Sequence, residues 1–150
     1  MSKLQIGDCI PSFSLKNQEG EDVSISAQDG RARIIYFYPK NETKVCTAEA
    51  CNFRDWYDEF LQLGYQVIGI SSDSVSSHQK FKSRHQLNFE LLSDPNGKVR
   101  KLFGATTLFG ILPQRSTFAI DKNGVILHRY DALFESDKHV DEMLEVIKKA

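Results

Sequence analysis

Two of the three cysteines, Cys46 and Cys51, stand five residues apart in "PKNETKVCTAEACNFRDW". Thiols in one short segment can hold a metal, exchange electrons as a dithiol, or act singly as nucleophiles. A structural metal site ordinarily uses C-x2-C spacing and a second pair of ligands. Here the spacing is C-x4-C and the four histidines are scattered. A disulfide reductase would carry C-x-x-C after its first buried strand, and this chain does not. A third chemistry is a single reactive thiol, met by its neighbour only after a change of shape.

The element that carries both thiols gives that reading its geometry. Ala50, Phe53, Trp56, Tyr57, Phe60 and Leu61 recur three and four apart, as on the buried face of a helix stopped by Gly64. At 100° per residue, Cys46 falls about 20° from Phe53 and points inward, whereas Cys51 falls about 160° away and points towards solvent. Five residues of helix separate their Cα atoms by roughly 8–9 Å. A disulfide needs less than about 7 Å. The two thiols can therefore bond only if the first helical turns unwind.

Cys46 is the expected reactive thiol. At a helix start it lies near unpaired N–H groups and the positive end of the dipole, which stabilise a thiolate. Thr43, three residues earlier, offers a hydroxyl to the same site. Pro39 ends the preceding strand and can shield the sulfur. In "QRSTF", Arg115 stands next to a strand and can supply a cation. Cys9 reads as a structural residue. His78 and His85 on a polar helix, and His139 near a helix start, read as solvated. His128 reads as a cross-strand packing residue.

The surrounding pattern is α/β. Phe13 to Lys16 and Val23 to Ser26 alternate around "NQEG" as a hairpin. Arg33 to Tyr38 and Tyr65 to Ser72 are β-branched and aromatic on both faces, as buried strands are. With the cysteine helix between them they form a βαβ unit, a parallel pair with a right-handed crossover. Val75 to Gln86 reads as a helix, "SDPNG" as a turn, and Lys98 to Phe103 as a short helix. "STFAI" and "VILHRY" flank the hairpin signal "DKNG". Asp137 to Lys149 closes as an amphipathic helix with acids early and lysines late. The order fits a thioredoxin-like fold, a mixed central sheet flanked by helices with an N-terminal β-hairpin extension.

Bulk properties set limits. A chain of 150 residues makes one domain, spanning residues 1–150, with material for a core. Hydrophobic residues make up 41% and charged residues 26%, as in soluble globular proteins. A net charge of −1 and a pI near 6.4 give no footprint for nucleic acid or an anionic membrane. No apolar run reaches the roughly 20 residues of a membrane span. "MSKLQIGDC" lacks a signal-peptide core, so the expected compartment is the cytoplasm. Three cysteines are too few, and odd, for a secreted disulfide scaffold.

"YFYPKNETKVCTAEACNFRD" resembles the active-site segment of peroxiredoxins, and more narrowly of their bacterioferritin comigratory protein or PrxQ subfamily. The family's P-x-x-x-T-x-x-C is present as Pro39, Thr43 and Cys46. "QRSTFAID" resembles its R-x-T-F-x-I-D strand, and "IGDCIPSFSL" its opening G-D-x-x-P-x-F-x-L. Lys44-Val45 stands where the subfamily commonly has Pro-Gly.

The resemblance implies a thiol peroxidase acting on hydrogen peroxide and organic hydroperoxides. Cys46 would attack the peroxide and become a sulfenic acid. Thr43, Arg115 and the Cys46 N–H would hold the oxygens, and Glu49 would orient the arginine. Cys51 would resolve the sulfenic acid as an intramolecular disulfide, and a thioredoxin-like dithiol would reduce it. No cofactor and no metal are implied. A monomer is favoured, with a dimer as the alternative. The same cysteines would also serve a redox sensor or holdase whose oxidised form binds a partner protein.

Overall fold

The computed structural model describes residues 4–107, 112–132 and 136–149. The alternating segments form β1 (Phe13–Asn17) and β2 (Asp22–Ile25), paired antiparallel. The apolar run β3 (Ala32–Phe37) leads into α1 (Lys44–Gln62) and then β4 (Tyr65–Ser71), which lies parallel to β3. Next come α2 (Val75–Arg84), β5 (Glu90–Ser93) and α3 (Lys98–Leu102). β6 (Thr106–Thr107) and β7 (Leu112–Pro113) make a separate small ladder. β8 (Ser116–Ile120) and β9 (Ile126–Asp131) form the second hairpin, and α4 (Ser136–Lys149) follows.

The main sheet runs β2-β1-β5-β4-β3-β8-β9. β3 sits between parallel β4 and antiparallel β8, so the sheet is mixed, as expected. β5 is a strand that no sequence pattern announces. It spans only four residues, with Leu91, Leu92 and Ser93 buried in a row, too short to show a period of two. It nevertheless joins the N-terminal hairpin to the sheet, parallel to β4 on one side and antiparallel to β1 on the other.

Successive side chains of β3 point to opposite faces. Ile34, Tyr36 and Tyr38 pack with α1, Phe81 of α2 and Val140, Met143 and Ile147 of α4. Ile35 and Phe37 pack with Val99, Phe103 and Ile10 on the other side. Tyr36 is the centre of the first layer, its ring stacked on Phe53 at 4.6 Å between centroids. Its hydroxyl end passes over Gly69, where a Cβ would stand 2.8 Å from Tyr36 Cζ. Only glycine fits that position of β4.

α1 buries Cys46, Glu49, Ala50, Phe53 and Phe60. These lie within an arc of about 100° around Phe53. Trp56 and Leu61, expected in the buried stripe, fall just outside that arc and are exposed. Complete burial of Phe53 or Phe60 contributes about 1.5–3 kcal/mol each. These rings anchor the helix from its middle onwards. Among the described residues no helix is long and apolar enough to cross a membrane.

Candidate active site

The segment between β3 and α1 is fastened before the helix begins. Tyr38 N–H donates to Ile70 O across the sheet. Pro39, half-buried, then ends the strand because it has no N–H to give. Asn41 is buried and fully engaged. Its backbone N–H donates to Asp73 Oδ2 at 2.8 Å, and its amide donates to Ser77 Oγ and to His78 Nδ1. Its Oδ1 accepts from Tyr38 O–H at 2.6 Å. His78 Nε2 lies 3.0 Å from Leu92 O. A carbonyl only accepts, so Nε2 carries the proton and Nδ1 is free to accept from Asn41. Burial holds His78 below the ordinary imidazole range, in keeping with that neutral form. The expectation that His78 is solvated is corrected: it is fully buried, with Tyr38, Asn41 and Leu92 against its ring.

Thr43 is the residue that opens α1, in extended backbone. Its hydroxyl does not cap the helix but donates to Lys40 O at 2.8 Å. The first turn holds no acid and starts with Lys44, a cation at the positive end of the dipole. The helix start is thus weakly secured, and its first N–H groups keep no intrahelical partner.

Cys46 is the third residue of α1 and is 1% exposed. Arg115, 69 residues away at the foot of β8, donates from Nη2 to Cys46 Sγ at 3.1 Å. Its Nη1 donates to Glu49 Oε1 at 2.6 Å. Glu49 sits one turn after Cys46 on the same face and is fully buried. Burial pushes its carboxyl up to about 7 despite the opposing pull of Arg115. Burial opposes the charge on Arg115 too, but Glu49 and Cys46 outweigh it and raise its pKa. The guanidinium places a cationic N–H donor against a sulfur in the first turn of a helix, a setting that can stabilise negative charge. The same donor can accept charge as it passes from sulfur to an attacked oxygen.

Cys51 is half-buried further along α1, and all three cysteines are free thiols. Cys9 is exposed, in an isolated bridge with Val125. Among the described residues no three His, Cys, Asp or Glu side chains converge as metal ligands. The structure therefore brings Cys46, Arg115 and Glu49 together. It places Thr43 and Pro39 in the segment that leads to them, and Cys51 later on the same helix.

Sequence reasoning missed two neighbours. His139, expected to be solvated, is 0% exposed, and Thr117 Oγ1 lies 2.7 Å from its Nδ1. The signal was present in α4: His139 shares the three-and-four spacing of Val140, Met143, Leu144 and Ile147.

A family model described as the AhpC/TSA family matches residues 6–129. The chain belongs to that family. Among its curated relatives is the chloroplastic peroxiredoxin Q of Oryza sativa subsp. japonica, 46% identical over 147 residues, covering 97% of this chain and 68% of that protein. Among solved structures it is similar to peroxidoxin BcpB from Mycobacterium tuberculosis, with a TM-score of 0.89, 33% identity and 97% of each chain covered. The bacterioferritin comigratory protein of Xanthomonas campestris, studied for alkyl peroxide reduction, aligns with a TM-score of 0.84 and 26% identity, covering 95% of this chain and 98% of that one. These relatives place the family member among the peroxiredoxins, and its mixed sheet and helices are those of their thioredoxin-like fold.

Proposed function

We propose that this chain, acting as one domain over residues 1–150, reduces hydrogen peroxide and organic hydroperoxides with Cys46 as the attacking thiol. The observation that carries the reading is the Arg115 guanidinium, which bridges Cys46 Sγ and Glu49 Oε1 in a buried pocket at the start of α1. Cys46 thiolate attacks one peroxide oxygen and the O–O bond breaks. The leaving oxygen takes a proton and departs as water or an alcohol, and the sulfur is left as a sulfenic acid. The first turns of α1 unwind and Cys51 thiolate attacks the sulfenic sulfur, giving a disulfide and water. A thioredoxin-like dithiol restores both thiols by exchange. The protein works as a monomer in the cytoplasm, where such reductants are at hand, with neither nucleic acid nor membrane as a partner.

Stopped-flow oxidation of the reduced protein by peroxide, followed by steady turnover with thioredoxin, tests this. A peroxidase is fast in both. Fast oxidation without turnover would point instead to a sensor or holdase whose oxidised form binds a partner. Slow oxidation of Cys46 would overturn the reading.

A further inference from the structure

His139 lies outside the residues assigned to the reaction, yet it is fully buried against them. Its Nε2 is 2.8 Å from Ala132 O, an acceptor only, so Nε2 carries a proton. Its Nδ1 faces two oxygens, Thr117 Oγ1 at 2.7 Å and Glu49 Oε2 at 3.5 Å. Ala132 in turn donates its N–H to Arg115 O. His139 thus touches both supports of the guanidinium, the carboxylate and the backbone.

A charge count shows what it can do. Cys46 thiolate, Arg115 guanidinium and Glu49 carboxylate together carry one net negative charge in a buried site. An uncompensated buried charge is costly. One further proton makes the cluster neutral. Glu49 Oε2 accepts no hydrogen bond among the described residues, which leaves it able to take that proton. His139 Nδ1 is the other position, and there the proton would lie between Thr117 Oγ1 and Glu49 Oε2. Burial brings Glu49 to about 7. Glu49 Oε2 and His139 Nδ1, 3.5 Å apart, are thus two neighbouring positions for one proton.

We propose that Glu49 and His139 together hold one proton, and that this shared proton compensates the charge of the Cys46 thiolate inside the closed pocket. His139 is then a positioning residue that acts through Glu49 and Arg115. The step is a proton transfer alone: the Cys46 S–H bond breaks, a bond to Glu49 Oε2 or His139 Nδ1 forms, and no electrons change owner. Other titratable groups stand around the pair. Tyr36 of β3 and Tyr38 just beyond it have hydroxyls that burial pushes well above the ordinary phenol range. Tyr130 of β9 packs its ring edge-on to the imidazole. Asp131 is bonded to Ser116 and Arg129, while Asp137 and Lys138 of α4 are exposed.

This inference rests on Cys46 being the reacting thiol, and its test is separable from that reading. Thiolate formation can be followed by ultraviolet absorbance against pH with no peroxide present. His139→Gln keeps an amide N–H for Ala132 O but cannot take up a proton. Its thiolate midpoint should rise by about one pH unit, the scale of a nearby charge. The acid limb of the peroxide rate should move with it, costing about tenfold in rate below the midpoint, while the alkaline plateau stays in place. An unmoved midpoint, or a loss of rate equal at every pH, would overturn the proposal. If His139→Gln fails to fold, Cys46→Ser supplies the reciprocal measurement. By linkage, the proton on isotope-labelled Glu49 and His139 should titrate at lower pH without the thiolate. Identical titrations with and without Cys46 would also overturn it. Peroxide consumption by Cys46→Ser would instead undo the assignment of the reacting thiol.

Discussion

Arg115 Nη2 stands 3.1 Å from Cys46 Sγ, and the same guanidinium grips Glu49 Oε1 at 2.6 Å. The cation is aimed from β8, the thiol and the carboxylate from one face of α1, and β3 packs between them as the common floor. Arg115→Ala leaves Glu49 a buried carboxylate without its ion pair. It should slow oxidation of Cys46 by about 10² or more, the usual cost of losing one charge-stabilising donor. Arg115→Lys should recover only part of the rate, because one ammonium cannot reproduce the two-pronged geometry. Stopped-flow fluorescence with hydrogen peroxide measures both, and a near-normal rate in Arg115→Ala would mean the wrong cation was chosen.

Thr43 gives its hydroxyl proton to Lys40 O, which leaves its lone pairs for another donor. Thr43→Val removes them and should slow Cys46 oxidation by about 10². Thr43→Ser keeps the hydroxyl and should stay within a few-fold of the parent. Equal losses in the two variants would assign the effect to the methyl group rather than the oxygen.

Cys46 and Cys51 lie on one continuous helix, five residues apart. Helix geometry keeps their Cα atoms roughly 8–9 Å apart, beyond disulfide reach. Oxidation should therefore unwind α1 from its N-terminus, where no side chain caps it and Lys44 opposes the dipole. Amide hydrogen exchange should show protection falling from Thr47 to about Asn52 and persisting from Trp56 onwards. Cys51→Ser should oxidise once and then stall as a sulfenic acid until an added thiol rescues it. Normal turnover of that variant with thioredoxin would remove Cys51 from the resolving role.

Glu49 makes stability depend on pH. Burial raises its carboxyl from 4.5 to about 7 in the folded protein. Between those values the folded state binds more protons than the unfolded state, so this group's contribution is full below about 4.5 and is lost as pH rises through about 7. The loss is about 3 kcal/mol, since each pH unit between the two values is worth about 1.4 kcal/mol. Glu49→Gln lacks it. Urea unfolding at pH near 5 and near 8 should show the parent losing about that much more than the variant. Equal pH dependence would mean that Glu49 stays ionised throughout.

Gly69 is held small by the Tyr36 ring, which a Cβ would approach to 2.8 Å. Gly69→Ala should destabilise the fold by about 1–3 kcal/mol through overpacking. Thermal melting checks it, and an unchanged Tm would mean that the ring can shift within its stack.

Local chemistry was legible in the sequence. The spacing of Pro39, Thr43 and Cys46 marks a strand end, a helix entry and a thiol at the helix start. The period of α1 puts Cys46 inward and Cys51 towards its other side. These follow from bond geometry over a few residues, which no distant contact has to supply. The two antiparallel hairpins and the parallel β3–β4 pair were readable for the same reason. Motif resemblance singled out Arg115 and Glu49, but spacing alone could not say which atoms they would meet.

What only the tertiary structure decided involves residues far apart in the chain. β5 has no period of its own and becomes a strand because β1 and β4 offer it hydrogen-bonding edges on both sides. Trp56 and Leu61 are apolar and helically spaced, yet the sheet and α4 cover only a narrow arc of α1 and leave them exposed. His78 and His139 look polar in isolation. Each is buried because Asn41 or Thr117, 37 and 22 residues away, supplies the partner that offsets the cost of burial. A histidine's pattern in sequence shows its polarity but not its partner, and it is the partner, brought in by folding, that turns a surface residue into part of a buried site.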